Sequence, residues 1–319
     1  MKLIDMHCDT LSKLVLRDNE SLTTNTLCID LNGLRRADSM VQFFACFADK
    51  EDYREPYSYD VAYHMIFRMI ERMRQEISRA PDKIGLARSN KEIMDNSKSG
   101  KISALLTVEE GGILNGHLPR LDKLYQEGIR LITLTWNYEN SLGYPNSSNP
   151  AVMQQGLKPF GFDVIKRMNE LKMLIDVSHL SDGGFWDVIR TTKYPVVASH
   201  SNARSLCDDQ RNMTDEMLKA LGENGGVAGL NFCDDFLNKN HRSDVESMVK
   251  HIMYMLNLAG QDSVAIGTDL DGIEGDLEIN HIGKMELLYS ALRKNGLTET
   301  QIEKIWYKNA LRVLNECMN

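Results

Sequence analysis

Histidine and carboxylate residues fall in short clusters along the 319-residue chain: Asp5-Met6-His7-Cys8-Asp9, Val108-Glu109-Glu110-Gly111-Gly112, Val177-Ser178-His179, Ser199-His200-Ser201 and Gly267-Thr268-Asp269-Leu270-Asp271-Gly272. His7 and Asp9 are two residues apart, so on an extended backbone they share one face, where an imidazole and a carboxylate can chelate a divalent ion. Taken alone, the pair reads better as a satisfied histidine beside a helix-capping aspartate. Each of the other clusters closes an apolar run. A glutamate there must find a partner or stay in water, because burying a bare carboxylate is costly. One of Glu109 and Glu110 fits a loop position, and Gly111-Gly112 allows close backbone approach. Ser-His ends two separate runs, at His179 and His200. With His7, three of the eight histidines then sit at run ends, which favours a shared metal over three separate core or loop histidines. His64, His117, His241, His251 and His281 fall in helices or loops and carry no assignment. Asp269 closes the last run, and Asp271 faces the same way two residues later. A carboxylate near a metal-bound water can accept its proton or protonate a leaving amine; Asp271-Gly272 also reads as a turn.

Three imidazoles, one run-end glutamate and two run-end aspartates exceed the needs of one tetrahedral zinc with an open position. They suit two ions, with His7 and Asp9 on one, His179 and His200 on the other, and Glu109 bridging. Two ions roughly 3.5–4 Å apart can share a hydroxide and polarise a scissile carbonyl.

The elements that must position these groups read as eight strands, near residues 2–8, 41–48, 102–109, 129–136, 173–179, 195–201, 226–232 and 263–269. Most are near-continuous apolar runs such as Val41-Gln42-Phe43-Phe44-Ala45-Cys46-Phe47-Ala48, the pattern of parallel strands covered on both faces. Segments of helical period lie between them. In 58–79, Ala62, Ile66, Met69, Met73 and Ile77 recur at three or four; others span about 158–171, 182–191, 214–223, 244–259, 283–295 and 299–316. Strand–helix alternation predicts a parallel sheet with crossover helices. Eight strands predict closure into a single (β/α)8 TIM-type barrel over 1–319, whose chemistry gathers at the C-terminal strand ends. The stretch Asn137 to Pro150 reads as a long βα loop and a candidate lid.

Hydrophobic residues at 42% and charged residues at 26% exclude a disordered chain. A formal charge of −8 argues against a nucleic-acid partner. There is no run of 18 apolar residues, hence no expected membrane span. Met1-Lys2-Leu3-Ile4-Asp5 meets an acid at once, unlike a signal peptide, and the tail lacks an anchor pattern. The six cysteines form no C-x-x-C pair, so reduced thiols and a cytoplasmic protein are expected. The 17 methionines read as adaptable core filler.

In order, Asp-x-His-x-Asp (5–9), Val-Glu-x-Gly (108–111), Val-Ser-His-x-Ser-Asp (177–182), Ser-His-Ser-x-Ala-Arg (199–204), Arg-Asn-Met-Thr-Asp (211–215) and Gly-Thr-Asp-x-Asp-Gly (267–272) resemble the membrane (renal) dipeptidases, zinc peptidases of the amidohydrolase-type barrel superfamily. The resemblance spans residues 5 to 272, and its His-x-Asp opening separates the chain from superfamily members that begin His-x-His. It implies two zinc ions per chain and hydrolysis of dipeptides, with tolerance for a D-residue at the C-terminal position. His7 and Asp9 would bind one zinc, His179 and His200 the other, and Glu109 would bridge. Asp269 would pass the proton to the leaving amine, and Arg211 would meet the substrate carboxylate through its guanidinium fork. Two places depart from the pattern. The family motif has one glutamate directly before glycine, whereas Glu109 and Glu110 are adjacent here; counting back from Leu124 and Thr133 favours Glu109, and aligning the glycines favours Glu110. The family also carries a histidine after the Leu-Thr of the fourth strand, where Trp136 stands. Indole donates one hydrogen bond and carries no charge, so Asn137, Tyr138 or Asn140 could replace the donor. That departure keeps open a metal-dependent hydrolase of another amide or lactone. A separate alternative is a metal-binding module without catalysis, although such a module has no need of Asp269. Barrels of this kind often dimerise, so a homodimer is possible.

Overall fold

The computed structural model describes residues 1–49 and 58–318. Nine parallel strands form its sheet: β1 (Leu3–Asp5), β2 (Ser39–Phe47), β3 (Ile84–Leu86), β4 (Ile102–Glu109), β5 (Ile129–Thr133), β6 (Leu174–Asp176), β7 (Val197–Ala198), β8 (Val227–Leu230) and β9 (Val264–Ile266). Pairing of β2 with β4 closes a ring in the order β1-β2-β4-β5-β6-β7-β8-β9 and back to β1. This is the eight-stranded (β/α)8 barrel, with helices between successive strands. The eight expected strands are all present, and β3 is additional. It pairs with the lower half of β4, Ile102 to Ala104, while β5 pairs with the upper half, Leu106 to Glu109. Three residues with one fully buried apolar side chain, Ile84, give too short a pattern to read.

Every ring strand sends a side chain into the barrel: Ile4, Val41 and Phe43, Leu105, Leu131, Leu174, Val197, Val227 and Ala265 form one apolar cluster. Ala310, Val313, Leu314 and Cys317 of the last helix, Asn309–Cys317, plug it from below. Alternate residues such as Phe44, Leu106 and Ile132 pack outward against the helices, which is why the strands read as unbroken apolar runs. Above this layer the interior turns polar. Asp5 and Asp176 close β1 and β6, and both are fully buried. Asp5 accepts from Gln42 Nε2, Thr268 N and Thr268 Oγ1, each at 2.8 Å. Asp176 accepts from Thr133 Oγ1 at 2.7 Å, Ser199 Oγ at 2.5 Å, Ser199 N at 2.9 Å and Ser178 N at 3.0 Å. Each carboxylate thus ties its own strand to the strands on both sides.

Several strands stop earlier than their apolar runs. β5 ends at Thr133 rather than 136, β6 at Asp176 rather than 179 and β9 at Ile266 rather than 269. The chain then leaves the ladder in irregular conformation, with positive φ at Glu110 (86°), His179 (64°), Asp269 (62°) and Asp271 (70°). Non-glycine residues held there cost about 1–3 kcal/mol each and gather at functional sites.

Candidate active site

The strand ends surround a cavity of about 460 Å³ lined by Asp9, Glu109, Trp136, Asn137, His179 and Asp269, with an apolar side from Val15, Leu16, Phe47, Met65 and Met69 and an acidic side from Asp234, Asp235 and Glu274. Such a volume suits a small ligand. Glu109 is the lining residue on which three imidazoles converge. Its Oε2 is 3.1 Å from His7 Nε2, while its Oε1 is 3.0 Å from His179 Nε2 and 3.5 Å from His200 Nε2. One oxygen therefore faces each of two groups. Asp9 Oδ2 is 3.2 Å from His7 Nε2 and Asp269 Oδ1 3.8 Å, so His7, Asp9 and Asp269 make one convergent set and His7, Glu109 and His200 another.

Proton placement shows what this convergence requires. The Ser199 hydroxyl donates to Asp176, so it accepts from His200 Nδ1 at 2.7 Å, leaving His200 Nε2 a bare lone pair. His179 Nδ1 donates to Asn137 Oδ1 at 3.2 Å, leaving His179 Nε2 bare as well. The two nitrogens lie 3.1 Å apart. Burial, reinforced by Arg211, lowers the pKa of His179 to about 4 and that of His200 well below its usual value. For Glu109, burial alone would favour the protonated acid, but the charge of His7 beside it holds its pKa well down. For His7, burial disfavours the charge, yet Glu109 and Asp9 raise its pKa well above the ordinary range. Three acceptors thus meet at one point with no hydrogen between them. Asp9 Oδ1 is also buried without a partner. Imidazole nitrogens and carboxylate oxygens in this arrangement fit divalent zinc, and the partners of the far imidazole nitrogens fix the tautomers.

Glu110 does something else. Its positive φ turns the side chain away from the centre, where it accepts from Gly112 N at 2.7 Å, Asn140 Nδ2 at 2.7 Å and Trp136 N at 3.1 Å. Burial raises its pKa to about 7. It thereby anchors the loop after β5. That loop enters the cavity only through Trp136 and Asn137. Asn140 is committed to Glu110, Leu134 O and the backbone of Leu142, and Tyr138 Oη donates to Asp49 at 3.3 Å. Loop length suggested a lid, but these bonds and the Pro145–Leu180 bridge pin it down.

Burial raises the pKa of Asp269 to about 7, and Asn231 Nδ2 donates to its Oδ2 at 2.9 Å. Arg211 lies in the loop after β7, buried, with Nη1 donating to Ser201 Oγ at 2.8 Å while Nε and Nη2 have no partner. A buried guanidinium with two idle donors calls for an anion. Asp271 is structural, since its oxygens accept from Thr10 Oγ1 at 2.6 Å and Cys28 N at 2.7 Å. The other five histidines, all among the described residues, lie off the cavity. His251, for example, accepts from Ala203 N and donates to Leu237 O. Asn231, Ser199 and Asp176 carry no signature of their own in the sequence. The one available signal is that β1 and β6 both read Leu-Ile-Asp ahead of a candidate histidine.

A family model, membrane dipeptidase (peptidase family M19), matches residues 1–319. The chain is 34% identical over 261 residues to an uncharacterized protein in the pqqA 5′ region of Klebsiella pneumoniae, covering 78% of this chain and 95% of that one. It is 31% identical over 344 residues to an uncharacterized dipeptidase of Schizosaccharomyces pombe, covering 98% and 79%. Among solved structures it superposes on a metallopeptidase from Rhodobacter sphaeroides liganded with a phosphinate mimic of the dipeptide L-Ala-D-Ala, with a TM-score of 0.89, 23% identity and 99% of both chains covered.

Proposed function

Because the chain belongs to the membrane dipeptidase family and is a metallodipeptidase, we propose that it is a binuclear zinc enzyme that hydrolyses dipeptides of the form L-Xaa-D-Xaa. The observation that carries the reading is Glu109, whose two oxygens face His7 on one side and His179 with His200 on the other. In this reading His7 and Asp9 hold one ion, His179 and His200 the second, and Glu109 bridges. When bound, the ions would supply Lewis acidity to the scissile carbonyl and lower the pKa of the attacking water. Arg211 receives the substrate's C-terminal carboxylate on Nε and Nη2, the donors that now lack partners. Asp269, aimed by Asn231 and with its pKa near neutrality, takes the proton of the attacking water and returns it to the departing amine. The D-residue preference draws on the L-Ala-D-Ala mimic held by the Rhodobacter sphaeroides protein.

Six free cysteines support a reducing, cytoplasmic setting, and no helix among the described residues is long and apolar enough to cross a membrane. The deciding experiment is hydrolysis of L,L- and L,D-dipeptides with zinc and then with chelator. Zinc-dependent cleavage of the L,D series is the expected result. Full activity after complete metal removal would overturn the metal mechanism, and inertness toward every dipeptide despite two bound ions would point to another amide or a lactone.

A further inference from the structure

We propose that Trp136 makes this enzyme selective for dipeptides whose N-terminal residue carries a large apolar side chain. The inference rests on the dipeptidase reading and names its substrate class. Ring geometry gives the direction. In the order β1-β2-β4-β5-β6-β7-β8-β9, β2 and β7 stand four places apart, so the loops that follow them face each other across the cavity. Arg211 lies in the loop after β7, and Glu109 ends β4. A dipeptide with its carboxylate at Arg211 and its scissile carbonyl at Glu109 has only its N-terminal residue left to extend toward β2.

On that side, among the described residues, the apolar Val15, Leu16, Phe47, Met65 and Met69 line the cavity beside the charged Lys13 and Asp49, and Trp136 reaches them from the loop after β5. The indole of Trp136 lies 4.8 Å from the Phe47 ring and 6.3 Å from the His179 ring, centroid to centroid. It thus joins the metal-binding groups to the apolar wall, and its backbone N–H is fixed by Glu110. Leu16 is 73% exposed, a large apolar side chain at the cavity that a substrate side chain would cover. The acidic Asp234 and Asp235 follow β8, next to β7 in the ring, and so stand toward Arg211 instead. Removing apolar surface from water on both partners is the source of discrimination, and a pocket of this kind separates substrates by about 10- to 200-fold.

The test is kcat/KM for the zinc-loaded enzyme on Gly-D-Ala, L-Leu-D-Ala, L-Phe-D-Ala, L-Asp-D-Ala and L-Arg-D-Ala, with the C-terminal L-Ala series run in parallel. The expected result is a preference for leucine and phenylalanine over glycine of about tenfold or more. Trp136→Ala should reduce the Leu-to-Gly ratio at least about threefold. Leu16→Ser, at an exposed position, should reduce it in the same direction. The ratio does not depend on how much enzyme is folded, so it separates specificity from loss of structure. Preference for arginine would move recognition to the acidic side, and preference for aspartate to Lys13; either overturns the inference, as does a ratio near one or a ratio unmoved in both variants. Turnover without such discrimination sinks this inference alone, whereas no turnover of any dipeptide sinks the dipeptidase reading with it.

Discussion

Glu109 and Glu110 carry the same side chain one residue apart, and the backbone alone separates their tasks. Glu109 closes β4 with its carboxylate between three imidazoles, whereas the φ of 86° at Glu110 turns its carboxylate onto the N–H groups of Gly112 and Trp136. Exchange to glutamine should tell them apart. Glu109→Gln is expected to lose bound metal and with it essentially all turnover, because a neutral amide is a much weaker ligand than a carboxylate. Glu110→Gln should keep its metal content while its melting temperature falls, since one acceptor of a buried network becomes a donor. Metal analysis of the two purified variants decides the matter, and metal loss in Glu110→Gln alone would reverse the assignment. Asp269 makes no short contact with an imidazole, its nearest being His7 at 3.8 Å. Asp269→Asn is therefore expected to keep the wild-type metal content while kcat falls by about 10²- to 10⁴-fold, the usual worth of a proton-transfer group. An unchanged kcat would remove the proton role.

The loop after β7, which carries Arg211, owes its position to the helix Val245–Ala259, because His251 accepts from Ala203 N at 3.2 Å and donates to Leu237 O at 2.9 Å. Burial lowers the pKa of His251. Below its unfolded value of about 6.5, the unfolded chain binds a proton that the folded chain refuses, so stability declines as pH falls through that point toward the folded pKa. Between pH 7.5 and 5.5 the wild-type melting temperature should drop. His251→Gln should melt lower at pH 7.5 yet decline less steeply; both are to be measured in excess chelator so that metal release does not contribute. Equal slopes would show that His251 is not a source of acid sensitivity. This role was not legible in the sequence, where His251 is one histidine in an amphipathic helix whose partners lie 48 and 14 residues away. The helices with a long apolar period were legible, from 58–79 to 299–316, whereas Leu31–Arg36, Asn90–Lys98 and Leu118–Glu127, each burying no more than three residues, went unread. The strand ends were overrun, because an apolar run continues past the last ladder hydrogen bond when the residues beyond it are still buried, as Val177 is.

Barrel closure brings together residues 7, 109, 179, 200 and 269, and the sequence suggested that meeting through the repeated rule that each stands at the end of an apolar run and through the ordered motifs it shares with the membrane dipeptidases. It could not show which atoms face each other, nor that Arg211 is buried with idle donors, since neither follows from local pattern. What closure creates is a lower interior filled by apolar side chains from every strand and an upper interior where carboxylates and imidazoles converge. That upper layer couples metal binding to the stability of the whole molecule. The converging set exists only once all eight strands are in register, so metal held there would favour the folded chain, by about 2.7 kcal/mol for one site at a free metal concentration 100 times its Kd. The zinc-loaded protein should therefore melt several degrees above the chelated protein, and its melting temperature should keep climbing with the logarithm of zinc concentration. In Glu109→Gln that dependence should largely vanish. Calorimetry across a zinc series measures it directly. A melting temperature indifferent to zinc in a protein that holds two ions would mean that the unfolded chain binds them as well, and indifference in a protein that holds none would remove the binuclear centre from the barrel altogether.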